Sequence, residues 1–183
     1  GMVMENPGYT DGRKGIYITP PEKMIEALLP WWEAGFQIHF HSNGNGSNKA
    51  RVDALYSLML HKPRADHRFT LQHVQLADAA QFRRMKALGL CANLFANHHF
   101  YWGDQHRAVT VGPERAARMN ACATALREGV PLAIHSDAPI TPLAPLFTAW
   151  CAVNRLRASG HVLGAHERIG VEQALQAITL GAA

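Results

Sequence analysis

Cysteine is scarce, with three among 183 residues, and charge is sparse at 17 % Asp, Glu, Lys and Arg. Cys91, Cys122 and Cys151 are odd in number, widely separated and set among apolar neighbours. A disulfide framework or a cysteine-built structural zinc cluster needs paired spacing, and neither is present. Buried thiols in a reducing, cytoplasmic compartment are the expectation. No apolar run approaches the roughly 20 residues that cross a bilayer. No basic-then-apolar leader opens the sequence, so neither a membrane nor secretion is expected. The net charge of +4 would suit nucleic acid only if the basic residues formed a footprint. Instead Lys62, Arg64 and Arg68, or Arg83, Arg84 and Lys86, form short dispersed groups with no aromatic interleaving. Nucleic acid is therefore not an expected partner.

What is present is a globular composition, 48 % hydrophobic, read as one domain over residues 1–183 with 1–15 as a loop or ragged start. Thr19-Pro20-Pro21-Glu22 has the form of a capping box, followed by Met24, Leu28 and Trp31 at helical spacing and a stop at Gly35. Residues 36–41 then read as a short strand, broken by Gly44 and Gly46. The unit recurs. Helical patterns at Val52 to Met59, Phe82 to Leu88 and Pro113 to Leu126 alternate with strands over 69–74, 90–95 and 130–135. Residues 97–106 read as a loop, and two more helices are expected from Leu143 and Val171. Single strands alternating with helices imply parallel strands joined by helical crossovers. A doubly wound sheet and a segment of a barrel both fit.

Eleven histidines are the anomaly, because several stand where strands end. The active site of a parallel α/β fold gathers at the C-terminal strand ends. Those ends carry His39-Phe40-His41, Gln72-His73, Asn97-His98-His99 and His135-Ser136-Asp137. Neutral imidazoles with a carboxylate suit a divalent metal, zinc first among them. Strand alternation puts His39 with His41, and His135 with Asp137, on one side. The later member of each pair is nearer the mouth. His41, His73 and Asp137 are thus the expected metal ligands, with Asp137 also the catalytic base. His39 and His135 are expected deeper, orienting ligands or substrate.

At these residues the sequence resembles the amidohydrolase superfamily, in particular its amidohydrolase-3 branch, which includes N-substituted formamide deformylase-like proteins. Gly35 to Gly44 is similar to the fifth barrel strand with its histidine ligand, and Leu71-Gln72-His73-Val74-Gln75 to the sixth. Asn97 to His106 resembles a loop after strand seven, where His98 and Trp102 would shape the pocket. His135-Ser136-Asp137-Ala138-Pro139 resembles strand eight, and Glu172 to Ala183 the helix that follows the barrel. The resemblance implies an α/β fold, a partial TIM-like (βα) barrel of about four parallel strands equivalent to strands 5–8. It also implies hydrolysis of amide, formamide or cyclic amide bonds in a small-molecule substrate, by activated water. The family's His-x-His of strand one and its bridging lysine have no counterpart here. A fragment with part of its metal site, able to stand without metal when isolated, is therefore expected. The alternative is an inactive half-barrel that self-associates as a scaffold, a homodimer or higher oligomer covering its open edges.

Overall fold

A computed structural model describes residues 2–182. Four strands, β1 (His39–Ser42), β2 (Thr70–His73), β3 (Cys91–Phe95) and β4 (Leu132–His135), form one sheet in the order β1-β2-β3-β4. Every neighbouring pair is parallel. Each crossover advances by one strand in the same direction. A doubly wound sheet reverses its order at a switch point, and this one does not. The architecture is four strands' worth of a (βα) barrel. Among the described residues, β1 and β4 have no strand partner on their outer edges.

The helices form where apolar residues recur at helical spacing. In α1 (Pro21–Glu33), Met24, Leu28 and Trp32 are buried, behind a proline at the first position. In α2 (Asn45–His61), Val52, Leu55 and Leu58 turn inward. In α3 (Ala79–Leu88), Phe82 and Met85 do so; the Asp78 side chain accepts from Gln81 N–H at the start, and Gly89 closes the end at φ +72°. These faces pack on one side of the sheet, against Leu71, Ala92, Leu94, Leu132 and Ile134, as one continuous core. By alternation and register, the opposite face carries His39 and His41, Gln72, Asn93 and Phe95, and His135. The helix side is apolar and the inner side polar. That asymmetry positions the site.

Several boundaries differ from the sequence expectation. At α1 the N-cap is Pro20, with no side-chain cap, so Thr19 does not form the expected box. The strand does end ahead of Gly44 and Gly46, but these glycines open a helix at once: Gly44 caps α2 and Gly46 lies within it. The reason is tertiary. A Cβ at Gly44 would clash with Val3 O, because the opening segment runs across the start of α2, where Ser47 N–H donates to Val3 O and Val3 N–H to Ser47 Oγ. That segment is docked, with Met4 buried in a small second cluster beside Val111, Met119 and Leu163.

The expected loop at 97–106 is instead α4 (His98–Gln105), running into a π-turn over His106–Thr110. The expected long helix from Pro113 is two, α5 (Pro113–Arg118) and α6 (Cys122–Arg127), separated where Asn120 takes φ +50°. Arg155 fixes this break by donating to Met119 O, Asn120 O and Leu163 O. It follows α7 (Pro145–Asn154), and α8 (Val171–Ala177) packs against α7 and β4. Among the described residues no helix is long and apolar enough to cross a membrane. Cys122 and Cys151 are buried and Cys91 half-buried, all as free thiols, and burial pushes the first two up to about 12.

Candidate metal centre

At the C-terminal ends of the strands, one ligand atom each from His73, His135 and Asp137 lies within 4.8 Å of the others. His41 stands beside them, its ring centroid 4.5 Å from that of His73. His73 and His135 rings are 5.0 Å apart.

Backbone conformation brings them together. Strict alternation would send His73 to the helix side with Leu71. Its φ of +72°, followed by +49° at Val74, ends the strand in a left-handed turn, and its ring lies against His41, Phe95 and His135. Asp137 likewise takes φ +54°. Left-handed non-glycine residues are costly and concentrate at functional sites.

Burial is the main cause of the low basicity here. It pushes His73 down to about 4, with the neighbouring His41 adding to the effect. His135 and His98 are each pushed down to about 3. Neutral imidazole is the form that binds metals. His73 Nδ1 and His135 Nε2 are buried with no hydrogen-bond partner. Buried polar atoms are almost always satisfied, so a bare His73 Nδ1 next to a carboxylate fits a divalent cation. The two rings differ, however. Asp137 N–H donates to His135 Nδ1 at 3.1 Å, which leaves the neutral ring's proton on Nε2. His135 therefore meets the site as a donor, while His73 Nδ1 can meet it bare.

Beneath the mouth a polar ladder crosses three strands. Asn93 Nδ2 donates to Gln72 Oε1 at 2.8 Å, and Gln72 Nε2 donates to His39 Nδ1 at 2.7 Å. His39 is thus held in the floor, away from the His73–His135–Asp137 group. Above, His98 stacks on Phe95 at 5.0 Å, Phe95 stacks with His135 at 5.3 Å, and Trp102 meets His98 edge-on at 5.1 Å. The turn carrying Asp137 is anchored by Thr141, which donates to Ser136 O and accepts from Asn97 Nδ2 at 2.9 Å.

Sequence reasoning placed His106 on a loop that either shapes the pocket or faces solvent, and gave Gln75 no role. Both are buried and hydrogen-bonded beside His98. A signal existed: Gln75 lies two residues beyond His73, and His106 stands eight beyond His98, near two helical turns. Reading 97–106 as a loop hid the second. Asp104 has a structural task, receiving Arg157 and the Ser159 hydroxyl and N–H.

Comparison with known proteins bears on this arrangement. Residues 18–183 match the sequence model described as amidohydrolase family. Protein LONG AFTER FAR-RED 3 of Arabidopsis thaliana is 28 % identical over 176 residues, 95 % of this chain and 30 % of that protein. An N-substituted formamide deformylase of Arthrobacter pascens is 27 % identical over 151 residues, covering 81 % and 27 %. The chain thus spans under a third of the length of these relatives. Two solved structures, each titled an uncharacterized metal-dependent hydrolase, share the fold. The Pyrococcus furiosus structure has a TM-score of 0.80 at 23 % identity, covering 99 % of this chain and 36 % of that one. The Pyrococcus horikoshii OT3 structure has a TM-score of 0.84 at 21 % identity, covering 100 % and 36 %.

Proposed function

Because this chain belongs to the amidohydrolase family, we propose that it carries part of a metal-dependent site hydrolysing amide, formamide or cyclic amide C–N bonds. The observation that carries the reading is the gathering of His73, His135 and Asp137 at the strand ends, where the buried His73 Nδ1 has no hydrogen-bond partner. His41, His73 and Asp137 would hold a divalent cation, zinc first among them, which when bound supplies Lewis acidity and a hydrolytic water at neutral pH. The Asp137 carboxylate takes a proton from the attacking water and returns it to the leaving nitrogen. His135 donates from Nε2 toward the substrate oxygen. Phe95 and Trp102 give the small-molecule substrate an apolar wall. The relative named for formamide deformylation makes N-substituted formamides the first compounds to try.

Zinc titrated calorimetrically into chelator-stripped protein tests the site. Wild type is expected to bind saturably, His73→Ala and Asp137→Asn at least about 10-fold more weakly. His61→Ala, which alters a surface pair with Glu33, should bind as wild type. Equal binding by all four would overturn the assignment.

A second reading has its own observation. Among the described residues the outer edges of β1 and β4 are unpaired, and Ile16, Ile18, Phe36, Leu143 and Leu180 are exposed. Such edges and apolar side chains invite cover. Either further barrel strands or a second copy of this half-barrel, as a scaffold dimer, would supply it. Light scattering behind a sizing column separates these: a monomer at all concentrations would remove the dimer.

A further inference from the structure

Beside the candidate metal centre sits a histidine pair that the reading above leaves unused. His98 Nε2 lies 3.3 Å from His106 Nε2. The same His106 nitrogen lies 3.2 Å from Gln75 Nε2. The other, His106 Nδ1, is 2.6 Å from Thr110 Oγ1. A neutral imidazole has one nitrogen that donates and one that accepts. Fixing the proton at any point of this chain therefore fixes it throughout.

Gln75 decides between the two arrangements. Its amide nitrogen faces His106 Nε2 and also Met119 Sδ at 3.7 Å. A thioether only accepts, so both amide hydrogens find acceptors in this orientation. Turned over, the amide would set oxygen against sulfur and strand its nitrogen where Oε1 now has no partner. His106 Nε2 is therefore bare, and its proton sits on Nδ1, donated to Thr110. The bare Nε2 also accepts from His98, which puts the His98 proton on Nε2. That leaves His98 Nδ1 bare, buried and without a partner. His98 stacks on Phe95, and the Phe95 ring in turn stacks with His135. One aromatic ring thus links the bare nitrogen to the metal centre.

We propose that His106 is a positioning residue. With Gln75 and Thr110 it locks His98 in the Nε2–H form, presenting His98 Nδ1 as an acceptor for an N–H group of the substrate. The substrate half of this inference rests on the hydrolase reading; the tautomer half does not.

Nitrogen-resolved histidine NMR of the metal-free full chain at neutral pH tests both halves. Wild type is expected to show His98 protonated on Nε2 with Nδ1 bare. His106→Gln, whose amide reaches the place of Nε2, should retain that form. His106→Phe should lose it to the other tautomer or a mixture. If the phenylalanine variant does not fold, Thr110→Val removes the hydroxyl that holds the His106 proton and should loosen His98 in the same way. His98 protonated on Nδ1 in wild type, or unchanged in His106→Phe or in Thr110→Val, would overturn the lock. Formamide titrated into wild type should shift His98 Nδ1, and N,N-dimethylformamide, lacking N–H, should not. An equal response, or none, would overturn the acceptor role. Neither readout needs turnover or metal, so a failed lock leaves the zinc titration standing, and a failed zinc titration leaves the lock standing.

Discussion

Acid should unfold this protein partly through His99, and the size of that effect follows from its surroundings. His99 is fully buried. Its Nε2 is 2.7 Å from Cys151 O, to which it donates. Its Nδ1 is buried with no partner. A second proton would sit on that unpartnered nitrogen, and desolvation, together with the nearby Arg155 charge, holds the ring well below its ordinary basicity. In the unfolded chain the same ring titrates near 6.5. Below that pH the unfolded state binds the extra proton, so stability is full above about 6.5 and falls as pH falls. A ring that stays neutral in the fold loses about 2 kcal/mol of stability between pH 7 and pH 5. Other buried histidines add to the wild-type loss, so the informative quantity is a difference. His99→Gln keeps a donor for Cys151 O but cannot titrate. Urea unfolding with chelator present, followed by tryptophan fluorescence at both pH values, should show the variant losing about 2 kcal/mol less than wild type over that interval. The comparison holds whatever the variant's stability at neutral pH. Equal losses would refute the reasoning.

Two more expectations concern packing. Arg155 is fully buried and donates to three backbone carbonyls. Arg155→Met should cost about 3 kcal/mol or more in urea unfolding, because the carbonyls are left unpaired in the interior; Arg155→Lys should recover little, lacking the planar fork. Gly44→Ala places a Cβ against Val3 backbone and should cost about 1–3 kcal/mol, seen as a lower melting temperature. An unchanged melting temperature would mean that the opening segment is not docked on α2 in solution.

The strand-and-helix order was readable because short apolar runs alternate with amphipathic segments, each ended by glycine or proline. Periodicity left the strand order open, since a barrel segment and a doubly wound sheet share one pattern along the chain; the family resemblance implied the barrel order that the structure has. The helix α4 escaped for a physical reason. Asn97, Gly103 and Asp104 weaken its local signal, and contacts from distant residues hold it instead: His99 with Cys151 O, Asp104 with Arg157 and Ser159. The same held at α2, where Gly44 reads as a breaker but is glycine because Val3 passes over it. At the site, residue types at the strand ends were legible and orientations were not. His39 and His41 share a face by alternation, yet His39 is tied into the floor by Gln72 while His41 stands beside His73.

His73 shows how much of the site depends on backbone that no periodicity encodes. Its ring faces His41 only because residues 73 and 74 are left-handed, and Val74 N–H donating to Ser42 O at 2.8 Å helps hold that turn. For a residue with a Cβ, left-handed backbone costs about 1 kcal/mol or more. The strain can be measured by deleting the ring in two ways. His73→Ala and His73→Gly both remove the imidazole, so both lose whatever it contributes to packing. They differ in that glycine occupies φ +72° without strain. Elsewhere glycine is the less stable choice by about 0.5–1 kcal/mol, because its unfolded chain is freer. Here the order should invert, with His73→Gly the more stable variant in urea unfolding. An alanine variant as stable as the glycine one would mean that the turn relaxes once the ring is gone. The imidazole, rather than the surrounding fold, would then be what bends the backbone toward the metal centre.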